Sequence, residues 1–212
     1  TQLDTIRTAA AAGAQIVVLQ EGAGIGFSDD VSQLLADAAA VAQEQQIYIV
    51  LPTFAIDPAV QAQPENVVRI IDPAGAVVLE HVKFGGTQFE GSVTGSGVLQ
   101  TVDTPFGRLS AVICWDADFP DVMRQAGAQA VDLLFIPAND WYELRDIHAG
   151  MATFRAVENG TAIFRQTGAG VSLVADAYGR ILNRVDSFAA PSTGAVTDQQ
   201  QEIGRASCGE RV

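Results

Sequence analysis

The feature that most constrains this chain is a set of short apolar runs that do not alternate. QIVVLQ (15–20), IYIVLPTFA (47–55), VDLLFIP (131–137) and GVSLVAD (170–176) carry apolar residues at successive positions. A strand with one wet face alternates apolar and polar residues, so runs of this kind must be covered on both faces. Segments of helical character lie between them. Residues 1–13 are alanine-rich. DDVSQLLADAAAVAQEQQ (29–46) sets Val31, Leu34, Leu35, Ala38 and Val41 at helical spacing behind Asp29 and Asp30, either of which suits an N-cap. Further helices are expected over 118–128 and 146–158. Two hairpins interrupt the alternation. ENVVRIIDPAGAVVLEHVK turns at Asp72-Pro73-Ala74-Gly75, and GVLQTVDTPFGRLSAVIC turns at Thr104-Pro105-Phe106-Gly107. TAIFRQT and ILNRVD complete the strands. Helices alternating with buried strands, with hairpins interleaved, predict one α/β domain with mixed sheets and helices on the outer faces only.

Composition narrows the function. The chain has 212 residues, of which 48% are apolar and 17% charged, a globular balance. Its net charge of −13 argues against nucleic acid, which requires a basic patch, and against an electrostatic hold on anionic lipid. Apolar binding of a neutral substrate stays open. No apolar run approaches the roughly 20 residues of a membrane span, and no basic-then-apolar leader opens the chain. The two cysteines, Cys114 and Cys208, form no CxxC, and the two histidines, His81 and His148, are far apart in sequence. No metal and no cofactor is expected.

Both ends read oddly. A helix running straight into a strand implies that a strand belongs ahead of residue 1. The closing IGRASCGERV has no apolar period and resembles the conceptual translation of a sequencing-library adapter. Residues 203–212 are therefore expected to be a non-native tail, 189–202 a linker or the start of a further element, and 1–188 the domain.

The stretch RLSAVICWDADFPD (108–121) poses the chemical question. A strand ending at Cys114 and turning into a helix would put sulfur at the sheet's carboxyl edge. The next backbone N–H groups would be left unpaired there. The plainer role for Cys114 is a buried, space-filling thiol. Glu21, closing the strand in IVVLQEGAG, is either a partly desolvated base or a charge returning to solvent. Lys83, before the glycines of HVKFGG, is either an oxyanion stabiliser or a solvated edge residue. Glu90 can hold that lysine by charge or be a simple loop acid. Asp116 and Asp118 read as helix-start acids, Arg155 and Glu158 as a local pair, and His148 as an exposed helix residue. GSVTGSG (91–97) lacks the Gly-Lys-Ser/Thr end of a phosphate loop.

Taken together, LQE … HVKFGG … ICWDADFP resembles the carbon–nitrogen hydrolase (nitrilase) superfamily, over nearly all of residues 1–188. The resemblance implies a four-layer αββα sandwich and a Glu21, Lys83, Cys114 triad with Glu90 as a second glutamate. It also implies a thioester on Cys114. Lys83 and the Trp115 backbone N–H would hold the oxyanion, and Glu21 would act as base in both half-reactions.

The downstream half is similar to apolipoprotein N-acyltransferases. Its marks are Asn139-Asp140-Trp141, the Arg155-Ala156-x-Glu158 helix, and Arg165-x-Thr167 leading to Gly170. Asn139 and Trp141 become candidate substrate-binding residues. One departure is the Trp-Asp pair after Cys114, where those enzymes more usually have an aromatic and then Glu. This branch implies a phospholipid acyl donor, a lipoprotein N-terminal amine as acceptor, an extracytoplasmic face, and membrane contact only through segments outside this chain. The alternative is a soluble, cytoplasmic amidase acting on a small carboxamide or carbamoyl compound; a third is an inactive or binding-only homologue. A homo-oligomer is compatible with any of these.

Overall fold

The computed structural model describes residues 1–57 and 63–189. The tail expected at 203–212 and residues 190–202 ahead of it lie outside the described residues. The first half of the chain gives α1 (Gln2–Ala11), β1 (Ile16–Val18), β2 (Gly24–Phe27), α2 (Ser28–Gln45), β3 (Tyr48–Ile56), β4 (Glu65–Ile71) and β5 (Val77–Val82). The second half gives α3 (Thr87–Glu90), β6 (Val102–Thr104), β7 (Gly107–Ala111), a 3-10 turn (Cys114–Asp118), α4 (Pro120–Ala128), β8 (Leu133–Ala138), α5 (Arg145–Asn159), β9 (Ala162–Thr167), β10 (Val171–Ala175) and β11 (Ile181–Asp186).

Two sheets form. In one, β1 and β2 both run parallel to β3, which pairs antiparallel with β4, and β4 with β5. The other has the order β11-β10-β9-β8-β7-β6, with β7, β8 and β9 parallel and the flanking pairs antiparallel. The apolar runs are explained by what each face touches. In β3, Ile49 and Leu51 pack with Ile6, Ala38 and Val41 of α1 and α2, while Val50 points the other way. Between the sheets Val50, Val68, Ile70 and Leu79 meet Leu109, Ile113, Phe135 and Phe164. On the far side Leu134, Ile136 and Ile163 pack with Met123, Ala126, Ala152 and Ala156 of α4 and α5. Both faces of each sheet are apolar because one takes helices and the other a sheet, which is the four-layer αββα sandwich.

Three local expectations change. QIVVLQ yields only the three residues of β1, and the edge strand beside β3 resumes as β2, GIGF. The second hairpin starts at Val102, so residues 97–101 are not strand. β7 stops at Ala111, and Cys114 opens the 3-10 turn instead of closing the strand.

Ile70 is fully buried between the sheets, whereas Ile25 is 66% exposed. Ile70→Ala should cost about 2–5 kcal/mol in denaturant unfolding, and Ile25→Ala within about 0.5 kcal/mol. Equal losses would contradict the layer assignment.

Candidate active site

The break between β1 and β2 carries Glu21. Lys83 follows β5 directly, and its N–H bonds the Asn66 carbonyl at 2.9 Å, continuing the β4–β5 pairing for one more step. That register turns Lys83 inward, where its side chain is 1% exposed. Its ammonium reaches Glu21 Oε1 at 2.7 Å and also contacts Glu90 Oε1. Asn66, at the start of β4, bridges the two acids. Its amide donates to Glu21 Oε1 at 2.9 Å and to Glu90 Oε2 at 3.3 Å. Turning both amide hydrogens to the carboxylates leaves Asn66 Oδ1 buried and unpartnered among the described residues. Burial alone would lower the Lys83 pKa, but the Glu21 charge and the hydrogen bonds to Glu21 and Glu90 outweigh it and raise it. Lys83 is therefore a fixed cation.

Cys114 sits at φ +45, in the left-handed region, and is not a glycine. Such a conformation costs on the order of 1–3 kcal/mol and persists only where the surroundings enforce it. Its Sγ lies 3.8 Å from the Asn139 carbonyl at the end of β8. Burial and then the Glu21 charge push the thiol pKa up, with Lys83 opposing. With its pKa raised the sulfur rests as a thiol at neutral pH, and any attack by it would require a base to take the proton. Trp115 follows in the first turn of the 3-10 segment, where N–H groups have no partner within the helix.

Asp116 is more than a helix-start acid. Fully buried, it bonds the Phe84 and Gly85 N–H groups with Oδ1 (2.9 and 2.6 Å). Oδ2 bonds the Ile113 N–H (2.9 Å) and His81 Nε2 (2.8 Å). One carboxylate thus ties the Lys83 segment of one sheet to the Cys114 segment of the other. The glycines after Lys83 serve the same contact: a Cβ on Gly86, at φ +75, would lie 2.3 Å from the Trp115 ring. Arg155 contacts Glu158 as expected and also donates to the Ala117 carbonyl at 2.9 Å, bracing the turn.

The downstream motif gathers under Cys114. Arg165, 1% exposed, bonds both Asp140 oxygens (2.7 and 2.9 Å) and the Val171 carbonyl. Asn139 Oδ1 accepts the Ala169 N–H at 2.8 Å. A Cβ on Gly170 would meet Asp140 Oδ2 at 2.4 Å, which accounts for that glycine. Trp141 is 65% exposed beside this cluster. His148 is not an exposed helix residue: its side chain is 12% exposed and Nδ1 lies 2.9 Å from Asp140 Oδ1, because α5 turns this face toward the β8 end. Glu21 from the break after β1, Lys83 just after β5, Glu90 from α3 and Cys114 from the 3-10 turn therefore come together. Asn66 is the member that sequence reasoning missed; its one signal was a polar residue directly ahead of the apolar Val67-Val68 pair.

A model of the carbon-nitrogen hydrolase family matches residues 1–203. An apolipoprotein N-acyltransferase of Brucella melitensis is 27% identical over 208 residues, covering 85% of this chain and 38% of the relative. One from Gloeobacter violaceus is 37% identical over 84 residues, covering 38% of this chain and 16% of the relative. The chain thus spans well under half the length of these curated relatives. Among solved structures, an amidase from Nesterenkonia sp. AN1 with an acetamide moiety covalently added at its active-site cysteine superposes with a TM-score of 0.77. It is 20% identical, with 87% of this chain and 78% of that one covered. A complex of a variant of the same amidase with acrylamide gives 0.78 at 19% identity, over 96% and 88%. At these identities the likeness is one of fold.

The charges around Cys114 predict its reactivity. In a Cys208→Ser background at pH 8, Glu21→Gln removes a charge that raises the thiol pKa, so iodoacetamide should react roughly threefold to tenfold faster. Lys83→Met should slow it. The reverse order would show that the sulfur does not feel these two side chains.

Proposed function

Starting from the fact that the chain belongs to the carbon-nitrogen hydrolase family, we propose that it transfers an acyl group through a thioester on Cys114, as an apolipoprotein N-acyltransferase-like enzyme with a phospholipid donor and a lipoprotein amine acceptor. The observation that carries the acyl-chain reading is the apolar rim beside the nucleophile. Phe89 is 82% exposed and stacks on Trp115 at 5.4 Å. Trp141 and Tyr142 are also more than half exposed, next to the Asn139–Asp140 segment. A site for a small polar amide has no use for solvent-facing aromatics, whereas a lipid tail does. The Brucella and Gloeobacter relatives support the same branch.

The chemistry follows from the residues. Glu21 takes the Cys114 proton as sulfur attacks the acyl carbonyl. The oxyanion forms against Lys83 and the Trp115 N–H, and it needs no reorganisation of either. Glu21 returns the proton to the leaving oxygen, and the thioester remains. Asn66 and Glu90 hold Lys83 and Glu21 in register. The strained backbone at Cys114 keeps the sulfur presented. A nucleophile then opens the thioester, and an amine and water give different products. On this reading membrane attachment and the extracytoplasmic location belong to segments outside this chain.

The test supplies phospholipid vesicles and a peptide whose N-terminal cysteine carries a diacylglyceryl group. N-acyl peptide is the expected product, and none should form with Cys114→Ala. Glu21→Gln should slow transfer on the order of 10²–10⁴-fold with KM little changed. Ammonia release from short carboxamides, without peptide acylation, would overturn this reading in favour of an amidase.

A further inference from the structure

Three metal-ligating side chains converge at the nucleophile. Cys114 Sγ, an Asp140 carboxylate oxygen and a His148 ring nitrogen all lie within 4.8 Å of one another. They come from the 3-10 turn, from the segment after β8 and from α5, so no local spacing discloses them. We propose that these three form a Zn²⁺ site, and that an ion bound there caps Cys114 and reversibly blocks acyl transfer.

Three observations carry this. First, the donor set selects the ion. A thiolate, an imidazole and a carboxylate are the ligand types that zinc takes, whereas Mg²⁺ and Ca²⁺ ask for oxygen alone. Second, the spacing suits one ion. Around a tetrahedral zinc, with bonds of about 2.0 Å to nitrogen and oxygen and about 2.3 Å to sulfur, ligand atoms stand roughly 3.3–3.5 Å apart. Bringing the widest pair in from at most 4.8 Å takes side-chain rotation of about 1.3 Å. The carboxylate is already oriented, because the buried Arg165 bonds both Asp140 oxygens. Such outer support is usual for metal ligands. Asp140 Oδ2 accepts only from Arg165 among the described residues and keeps a lone pair. Third, the charge favours a cation. The site and its edge hold four carboxylates, those of Glu21, Glu90, Asp118 and Asp140. Asp118 Oδ2 stands 3.6 Å from His148 Nε2. Against them stand the cations Lys83 and Arg165, while Arg155 is paired with Glu158. Arg165 thus offsets Asp140 and Lys83 one glutamate, and a Cys114 thiolate adds to the excess.

Binding balances without a redox partner. The sulfur exchanges its proton for the metal, the proton passes to solvent, and water fills the fourth position. Cys114 is partly exposed, which gives a hydrated ion a way in. In the capped state the sulfur electron pair that would attack an acyl carbon is committed to the metal, and the ion stands where that carbon must approach. Removing the ion and returning the proton restores the thiol unchanged.

The block on acyl transfer rests on the thioester reading, but metal binding is read without turnover. EDTA-treated protein in a Cys208→Ser background is titrated with Co²⁺, a spectroscopic stand-in for zinc. A near-ultraviolet thiolate-to-cobalt band should saturate at one equivalent, be missing in Cys114→Ala and disappear when Zn²⁺ is added. His148→Gln can still donate to Asp140, so it should keep the parent's metal-free melting temperature. It should nonetheless weaken Co²⁺ and Zn²⁺ on the order of a hundredfold. One equivalent of Zn²⁺ should also protect Cys114 from iodoacetamide in the parent, EDTA should restore the reaction, and His148→Gln should lose the protection. No band in the parent, or Co²⁺ held as tightly in His148→Gln, overturns the site. Acyl transfer that continues undiminished at saturating Zn²⁺ overturns the block. A cobalt band that behaves as expected in a protein that forms no thioester confirms the site while overturning the thioester reading, and the block on transfer falls with it.

Discussion

A lysine ammonium that is 1% exposed must be neutralised where it lies, and most of the site follows from how this is done. Lys83 is reached by Glu21 from a break in an edge strand and by Glu90 from a single helical turn. Asn66 donates to both acids, at 2.9 Å to Glu21 and 3.3 Å to Glu90. Two carboxylates around one ammonium leave a surplus negative charge close to Cys114. Burial first, and then the Glu21 charge, keep the sulfur protonated at rest. On the proposed mechanism such a sulfur attacks only once a base has removed its proton, while the Lys83 cation stays in place beside it.

The second constraint is that Lys83 and Cys114 belong to different sheets. Apolar packing fixes the distance between sheets but is tolerant of small sliding. Asp116 removes that freedom by accepting from Phe84, Gly85, Ile113 and His81 in one buried carboxylate. The chain then leaves Cys114 in a strained conformation, braced from behind by Arg155 on the Ala117 carbonyl. Charge pairing, cross-sheet clamping and local strain act on the same few ångströms.

Much of this was legible in order and type. The unalternating runs predicted sheets covered on both faces, and each run proved to have helices on one side and a sheet on the other. Glu21, Lys83 and Cys114 stood out because an acid, a lysine and a thiol fell at or just after apolar strands, and Glu90 entered as the second glutamate that the family resemblance implies. What escaped was non-local. Asn66 joins the site through the β4–β5 register, which no local pattern discloses. Asp116 and His148 were read by their place on a helix, yet their partners come from other strands. β2 has two glycines in four residues and no strand signature of its own; it forms because β3 offers it an edge. Arg165 was the clue most open to use: a charge in the middle of a buried strand demands an acid, and Asp140 supplies it.

The central claim is that Cys114 becomes acylated, and mass spectrometry of the intact protein during turnover with an acyl donor tests it most directly. The account predicts a mass increase equal to the acyl group, mapping to the peptide that contains Cys114 and decaying as product forms. Turnover with no adduct on that peptide, undiminished in Cys114→Ala, would contradict it.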